Sequence, residues 1–254
     1  MEIQYKDILL RDYRESDISD DIRWMNVDIE WIRADTPWAP IERVDPEAFR
    51  ADMKEYLANM PEDDIRWRLE IEHEGRHIGF VSSYLLDEHF DWVPPHEAGD
   101  PLSFRRGLSV AICASDMWDK GLGTRALKAF MDYYREQGIE EFYVETWSGN
   151  HRMLRCAEKL GFRTCKKEPG VHTVGGKKYD ALVMCKKTFP KEKSTPSGVL
   201  FLHGFTSGRF RSRRRCRRPS VQSAASPGAV ASCPRCQTVP PGCGSGSPAG
   251  RHPT

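Results

Sequence analysis

The chain has 254 residues, 39% of them hydrophobic, and a formal net charge of +1, which suits one globular domain with an appendage. The charge is divided unevenly, because residues 191–254 hold eleven Lys and Arg residues against one acid, which leaves residues 1–190 acidic. No stretch approaches the roughly 20 apolar residues of a membrane helix, and the opening segment is too polar for a signal peptide, so we expect a cytoplasmic protein without a membrane partner.

The first 60 residues predict one strand and two helices. A strand is predicted over 8–13, and apolar residues spaced for one buried helical face predict a helix over 17–32: Ile18, Ile22, Met25 and Ile29. Asp45 before Pro46 has the residue types of a helix N-cap and first turn, which predicts a second helix to about Leu57.

A hairpin and a long loop are predicted next. Charged and apolar residues alternate over 66–72, the period of a half-buried antiparallel strand, and Gly75 turns the chain into a second strand over 78–85. Residues 87–106 show no helical or strand period, and their acids predict a long acidic loop: Asp87, Glu88, Asp91, Glu97 and Asp100.

The second half begins with an apolar strand over 108–114. It leads through Gly121 into a helix that ends near Gly138 and whose inner face is apolar: Leu127, Phe130, Met131 and Tyr134.

A strand over 142–147 and a helix over 150–160 follow, with Gly161 at the place of a left-handed C-cap. Closing strands are predicted over 162–166 and 179–184. This order of elements predicts an α/β or α+β domain with a mixed sheet.

The segment from Trp118 to Thr124 runs from the apolar strand into the helix. Glycines at 121 and 123 would let the main chain approach a ligand closely. Free N–H groups and the helix dipole favour an anion such as a diphosphate at a helix N-terminus. The segment lacks the third glycine of a dinucleotide fingerprint and the ending of a P-loop, so on its own it is also compatible with an ordinary turn.

A second motif follows in register. Glu145-Thr-Trp-Ser-Gly-Asn150 leaves a strand, and Glu158-Lys-Leu-Gly-Phe162 ends the next helix. Together the two motifs resemble the GNAT superfamily of N-acetyltransferases, in its branch of ribosomal-protein-alanine and aminoglycoside 6′-acetyltransferases, across about residues 108–162. The flanking elements agree with the family's order over 8–188. One departure is Trp118, where the family usually carries Gln or Arg.

The resemblance implies the family's acyl-CoA N-acyltransferase fold, with a mixed, largely antiparallel sheet flanked by helices, and acetyl-CoA as co-substrate. Main-chain groups of Ala111, Ile112 and Cys113 would contact the pantetheine arm, and their amides would stabilise charge on the acetyl oxygen. Main-chain amides of the glycine segment would hold the diphosphate: Lys120, Gly121, Leu122, Gly123 and Thr124. The Asn150 side chain would hydrogen-bond the cofactor arm, and Lys159 could lie near the adenosine phosphate.

Acetyl transfer requires a neutral amine, whereas an alkylamine with a pKa of about 10.4 is almost entirely protonated at pH 7, so a general base is needed. Glu145 stands five residues before Asn150, where relatives that acetylate a ribosomal-protein N-terminus carry a catalytic Glu; an ordinary strand carboxylate is the alternative. Many relatives carry a Tyr seven residues after the Asn to protonate the thiolate, but this chain has Ala157 there. Cys156 and Tyr84 are candidates for that role, and both also suit a place in the core.

The expected acceptor is a primary amine of a cationic molecule. The acids of the 87–106 loop, together with Trp92, could attract a small cationic amine, an aminoglycoside or a basic peptide N-terminus. The segment also looks like aminoglycoside 6′-N-acetyltransferases, but those enzymes carry Asp where this chain has Ser109. A solvated acidic surface is the alternative for this loop.

Two other functions stay open. A GNAT module without catalytic activity could bind an acyl-CoA as a sensor, because the usual acid is missing. The 191–254 tail, rich in Ser, Pro, Gly and Arg, is predicted to be disordered, and its Arg209–Arg218 cluster could bind RNA or another polyanion. Residues 1–190 are predicted to form the catalytic domain, and a homodimer is compatible with the sequence.

The cysteines do not predict a disulfide framework or a metal site. Cys233 and Cys236 have the spacing of a metal-binding pair, but matching ligands are lacking. Four cysteines lie in apolar or alternating runs and are predicted to be reduced and packed: Cys113, Cys156, Cys165 and Cys185.

Overall fold

The elements follow the predicted order over the residues that the structure, a computed structural model, describes: 1–60, 65–98 and 103–187. The predictions for the 191–254 tail, its Arg209–Arg218 cluster and its Cys233–Cys236 pair lie outside those residues. Within them, no helix combines the length and the apolar composition needed to cross a membrane.

The described strands form one sheet. In chain order they are β1 Glu2–Tyr5, β2 Ile8–Arg11, β3 Arg68–His73, β4 Arg76–Leu86, β5 Trp92–Val93, β6 Arg105–Ile112, β7 Phe142–Trp147, β8 Arg163–Val174 and β9 Lys177–Lys186. Their spatial order is β1-β2-β3-β4-β6-β7-β9-β8, and β5 pairs with β4. Each described pair is antiparallel except β6 with β7, so the sheet is mixed and largely antiparallel, as predicted.

Helices cover both faces of the sheet. They are α1 Ile18–Asn26, α2 Glu30–Asp35, α3 Pro46–Ala58, α4 Leu122–Glu136 and α5 His151–Lys159. Phe80 and Val81 are neighbours on β4 and therefore point to opposite faces. Phe80 packs with Trp24 of α1, whereas Val81 belongs to the main core cluster with Leu127 of α4 and Ala157 of α5. The site lies where the sheet opens between these two helical layers.

Three predicted turning points are confirmed. Asp45 caps α3, because its Oδ1 accepts hydrogen bonds from the amides of Glu47 and Ala48 at 3.1 and 2.8 Å. Gly75, with φ of +74°, makes the turn of the β3–β4 hairpin, and Gly161, with φ of +86°, ends α5 in the left-handed conformation.

The single helix predicted over 17–32 is wrong, because the chain breaks at Val27 into α1 and α2. The Asn26 side chain donates to the carbonyl of Val44 at 3.1 Å and accepts from its amide at 3.0 Å. These two hydrogen bonds join the end of α1 to a segment 18 residues away. The chain then enters α2, from which the Trp31 indole donates to the carbonyl of Trp24.

Several strand limits also differ from the prediction. β1 was not predicted, the loop over 87–106 contains the short strand β5 and ends where β6 begins at Arg105, and the β8–β9 hairpin is longer than expected. β8 is mostly exposed and lacks an apolar alternation, so its pairing with β9 rather than its own sequence pattern defines it. Cys165 lies in an irregular part of β8 and is exposed, contrary to prediction, whereas Cys113 and Cys156 are buried and Cys185 is half-buried.

Candidate active site

An opening between β6 and β7 marks the site. The two strands pair in parallel only through Arg106 with Phe142 and Gly107 with Tyr143. Beyond these positions β6 continues against β4, and β7 continues against β9. The two strands therefore diverge, and within the described chain their facing edges lack a sheet partner.

The glycine segment follows β6 and starts α4. Gly121 is the N-cap and has a left-handed conformation with φ of +75° and ψ of 9°, which favours glycine. No side chain of the described residues caps this helix end, and the first-turn amides of Leu122, Gly123 and Thr124 have no intrahelical acceptor. The predicted diphosphate site therefore presents free donors at the positive end of a helix dipole.

Trp118 and Asp119 join this segment to neighbouring elements. The Trp118 indole donates to the Ile112 carbonyl at 2.6 Å, and the Arg152 guanidinium lies 4.3 Å from the Trp118 ring centroid. The Asp119 carboxylate accepts from Arg152 at 3.4 Å and from Arg155 at 3.3 Å. The indole that stands in place of the usual Gln or Arg thus ties the end of β6 to α5, and the side chain of Lys120 is exposed.

Of the three residues predicted to contact pantetheine, Ala111 and Ile112 end β6 and Cys113 follows it, and their main chains point in different directions. Cys113 is buried, and its amide donates to the Ile78 carbonyl at 2.9 Å. Alternate residues of a ladder direct their main-chain groups to opposite sides, so Ile112 faces the opening while Ala111 and Cys113 face β4. The approach to β4 is close, since a Cβ on Gly79 would lie 2.0 Å from the Ala111 carbonyl oxygen. Ile112 is therefore the residue of the three whose main-chain amide faces the opening, and its carbonyl already accepts the Trp118 indole.

Asn150 is the N-cap of α5. Its Oδ1 accepts a hydrogen bond from the amide of Met153 at 3.1 Å. Its side-chain NH₂ group donates to no described residue, and Asn150 lines a cavity between α5 and α2. The residue can therefore cap its helix and donate to a ligand at the same time.

Glu145 projects from β7 beside Tyr84 of β4. The Glu145 amide donates to Tyr84 Oη at 3.4 Å, and the two side chains form a hydrogen bond. Tyr84 is buried, and its ring lies so close to Gly107 that a Cβ there would come within 2.3 Å of it. Burial raises the pKa of the Glu145 carboxyl, although the Tyr84 bond and the charge of Lys166 act to lower it. The side chain is nevertheless solvent-accessible, so an acceptor can reach its carboxylate.

Acidic and aromatic side chains lie near Glu145 and Tyr84. Burial raises the pKa of Tyr84 well above its ordinary value, and the charges of Glu145 and Asp35 act in the same direction. Burial is the largest cause that raises the pKa of Glu145, and the charge of Asp91, from the predicted acidic loop, also acts to raise it. An aromatic cluster adjoins them, built from stacked and edge-on ring contacts: Trp38, Trp147, His172 and Tyr179. The sequence pattern did not indicate Asp35 or the Tyr84–Glu145 contact.

The position of the family's usual acid belongs to the core. Ala157 has no exposed surface, and Cys156 beside it is buried in the cluster formed with α4. Burial raises the pKa of the Cys156 thiol, and its hydrogen bond is with Thr124. These surroundings favour a packing role for Cys156 rather than proton donation.

Solved structures share this fold at low sequence identity. YncA of Salmonella typhimurium, a candidate acetyltransferase solved with acetyl-CoA, aligns with a TM-score of 0.51 and 20% identity over 76% of this chain and 99% of its own. A GNAT-family acetyltransferase from Bacillus anthracis aligns with a TM-score of 0.52 and 13% identity, over 74% of this chain and 98% of its own. The Salmonella typhimurium enzyme that modifies the N-terminal serine of ribosomal protein L7/L12 aligns with a TM-score of 0.51 and 13% identity, over 72% of this chain and 96% of its own. At these identities the matches support the fold alone.

The sequence itself matches a family profile. The profile describes the acetyltransferase (GNAT) domain and matches residues 7–163, more than half of the 254 residues. The match includes the glycine segment, Glu145 and Asn150, and the fold agrees with it. The chain therefore belongs to the GNAT family of acetyltransferases.

Proposed function

We propose that this protein transfers the acetyl group of acetyl-CoA to a primary amine of a cationic acceptor, which is a small amine, an aminoglycoside or a peptide N-terminus. The observation that carries the proposal is that an uncapped helix N-terminus and a carboxylate, Glu145, border the same opening between β6 and β7. The acetyl-CoA bound to YncA supports the choice of co-substrate. Residues 1–190 would form the catalytic domain, since all these elements lie within them.

The proposed cofactor site uses main-chain donors. The amides of the glycine segment, from Lys120 to Thr124, bind the diphosphate, and Gly121 supplies the left-handed residue that starts α4. The Ile112 amide donates to the pantetheine arm, with Ala111 and Cys113 forming the adjoining wall. The Asn150 NH₂ group donates to the same arm. Bound in this way, acetyl-CoA supplies an activated acetyl thioester.

Glu145 makes the acceptor reactive by removing its proton. Neutralising an alkylamine at pH 7 costs roughly 4 to 5 kcal/mol, and a base is more effective when its own pKa lies closer to neutrality. Burial raises the pKa of Glu145 in that direction. Glu145 passes this first proton to solvent through water and is ionised again. The amine nitrogen then forms a bond to the acetyl carbon, the carbon–sulfur bond breaks, and the second amine proton passes to Glu145 directly or through a water.

The departing sulfur can leave without a strong acid nearby. A thiol of this kind has a pKa of about 8.5, so its anion is a tolerable leaving group. Ala157 offers no proton and Cys156 is enclosed in the core. We therefore assign protonation of the sulfur to solvent.

The acceptor class is inferred from charge. Asp91 and Asp35 add negative charge near Glu145 and Tyr84, which attracts cations and favours their binding. A neighbour in the comparison acts on a protein N-terminus, and that chemistry, like that of aminoglycosides, presents a primary amine.

A panel of amines tests the proposal. The full-length chain is incubated with acetyl-CoA and polyamines, aminoglycosides or basic peptides, and release of free thiol is recorded. We expect release that depends on at least one cationic primary amine and saturates with it. Saturable acetyl-CoA binding with no release across the panel would favour the alternative of a non-catalytic acyl-CoA-binding module.

A further inference from the structure

Two cysteines of the β8–β9 hairpin take no part in the proposed reaction and lie on one face of the sheet. Cys185 of β9 pairs with Arg163 of β8. Cys165 comes two positions after Arg163, at an irregularity of β8 where Thr164 and Lys166 pair with consecutive residues of β9. Because side chains alternate between the two faces of a strand, Cys165 shares the face of Arg163 and therefore that of Cys185. Cys165 is the extra residue of a bulge.

The two thiols are neighbours in their reduced form. Both cysteines are free, with Cys165 exposed and Cys185 half-buried. The Cys165 thiol donates to the Val183 carbonyl at 3.4 Å, which directs its sulfur toward β9. Partial burial of this thiol and its interaction with Cys185 raise the pKa of Cys165 to about 11. An exposed thiol beside a second thiol on the next strand is an arrangement in which a disulfide forms when an oxidant is present.

Closing a disulfide here requires a small movement of β8. Bridged cysteines have Cα atoms within about 7 Å of each other, whereas diagonal neighbours on paired strands are about 7 to 8 Å apart. As the extra residue of the bulge, Cys165 is not paired with a residue of β9. Its main chain can therefore approach Cys185 without breaking a pair of the ladder, and Lys166, the next residue, moves with it.

Lys166 connects this movement to the proposed base. Lys166 pairs with Val183, and Val183 pairs with Glu145, so the three residues form one row across β8, β9 and β7. Burial raises the pKa of Glu145, and the charge of Lys166 acts against this effect. The Lys166 ammonium also donates to a main-chain carbonyl of the loop before β5 at 3.2 Å. Cys185 is two residues along β9 from this row, so the bond would draw Lys166 away from Glu145.

We propose that Cys165 and Cys185 are a modification site, at which a peroxide forms a reversible disulfide. The bond removes the charge of Lys166 from Glu145 and moves the pH dependence of acetyl transfer to higher pH, a consequence that rests on the proposed function. In a reducing compartment such a disulfide is transient and regulatory rather than structural.

The oxidation consumes one molecule of hydrogen peroxide and releases two of water. One thiol sulfur attacks a peroxide oxygen, the oxygen–oxygen bond breaks, and a sulfenic acid and a water form. The second sulfur then attacks the sulfenic sulfur, the sulfur–oxygen bond breaks, and the hydroxyl leaves as water with the second thiol proton. The two thiols together lose two electrons, which the peroxide gains. A small thiol reduces the bond again by exchange.

Peptide mapping of the full-length chain before and after hydrogen peroxide tests the disulfide. Trypsin releases Cys165 within Thr164–Lys166 and Cys185 within Tyr179–Lys186. After free thiols are alkylated, we expect these two peptides to be joined in the oxidised sample and separate once dithiothreitol is added. Cys165→Ser changes an exposed position, should fold, and should abolish the joined peptide. Sulfinic acid on either cysteine without a joined peptide would overturn the proposal.

The double variant Cys233→Ser/Cys236→Ser is the matched control, because it removes another closely spaced pair of cysteines. The joined peptide should form in it as in the wild-type chain, and its loss there would also overturn the proposal.

The pH profile of kcat/KM for an accepted amine, before and after peroxide, tests the consequence for catalysis. We expect the rising limb of the wild-type profile to move to higher pH on oxidation and to return with dithiothreitol, whereas the Cys165→Ser profile stays in place. An unmoved limb in a protein with joined peptides would overturn the link to Glu145. Absence of turnover in the reduced chain would refute the proposed function and with it this link, whereas a joined peptide would still establish the disulfide.

Discussion

Two opposing effects act on the pKa of the Glu145 carboxyl group. Burial raises its pKa, and the hydrogen bond from Tyr84 acts to lower it. The side chain is open to solvent on one side, so an acceptor amine and a water can both reach it. These features suit a base that must be ionised near neutral pH.

Replacing Glu145 with Gln should remove the base and keep the fold. We expect kcat to fall by about 10²-fold or more, while the Kd for acetyl-CoA changes less than about twofold, because Gln keeps the size of the side chain. Steady-state kinetics and calorimetry measure the two effects. Glu55→Gln, at an exposed position on α3, is the control, and turnover unchanged in Glu145→Gln would remove Glu145 from its role.

Tyr84→Phe should change the pH dependence of the reaction. The base acts in its ionised form, so kcat/KM rises with pH through the pKa of Glu145. The Tyr84 hydroxyl acts to lower that pKa, and its loss should move the rising limb to higher pH. The Phe ring can still pack against Gly107, which protects the fold. A rising limb at the same pH in both proteins would show that the hydroxyl does not act on the base.

At the level of elements, the first turn of α4 is the part of the site most sensitive to backbone change. Gly121 has φ of +75°, and the nearest atom to an added Cβ is Arg125 Nη1 at 3.5 Å. An alanine at position 121 would therefore strain the backbone without causing a steric clash. Gly138 has φ of +84° after the other end of the same helix, with no atom within 4 Å.

These two glycines form a matched pair of variants. Gly121→Ala and Gly138→Ala should each lower the free energy of unfolding by about 1 to 2 kcal/mol, the cost of a left-handed non-glycine residue. Only Gly121→Ala should weaken coenzyme A binding, because only that residue lies among the proposed diphosphate amides. Urea unfolding and calorimetry measure these changes, and equal affinity in both variants would count against the diphosphate site.

Elements with local signals could be predicted from the sequence. Asp45 and Gly161 mark helix ends with their own side-chain and backbone chemistry, and Gly121 marks the start of α4 in the same way. The break after α1 could not be predicted, because it depends on Asn26 bonding Val44, 18 residues away. The Tyr84–Glu145 contact likewise joins residues 61 positions apart and arises only when β4 and β7 enter one sheet.

For the whole molecule, a buried ionic cluster ties α1 to the sheet. Glu70 has no exposed side-chain surface and bonds Arg68 at 2.6 Å and His77 at 3.0 Å. Arg68 also bonds Asp21 of α1 at 3.1 Å, and His77 contacts Asp17 and Asp20. Removing one partner from such a buried network costs about 3 to 5 kcal/mol.

The cluster should make stability fall as pH rises. Burial acts to lower the pKa of His77, but Glu70 and the nearby aspartates outweigh this effect and raise it. A raised pKa stabilises the fold below the unfolded value of about 6.5, and that stabilisation is lost as pH rises through the folded value. Burial also raises the pKa of Asp21 to about 6, so ionisation of Asp21 opposes folding in the same direction.

We therefore expect the free energy of unfolding to decrease as pH rises above about 6.5 and through the raised pKa of His77, and His77→Gln to flatten this slope. Urea unfolding at several pH values measures it. His89→Gln changes an exposed loop histidine and should leave the slope as in the wild-type chain. A His77→Gln protein with the original slope would show that His77 is not its source.

Titration of the full-length chain with coenzyme A in a calorimeter tests the central claim most directly, namely that the main chain around Gly121 and Gly123 binds the diphosphate. We expect saturable binding at one site per chain and a higher unfolding temperature in the presence of the ligand. A folded sample that shows neither saturable heat nor a shift in unfolding temperature would contradict it.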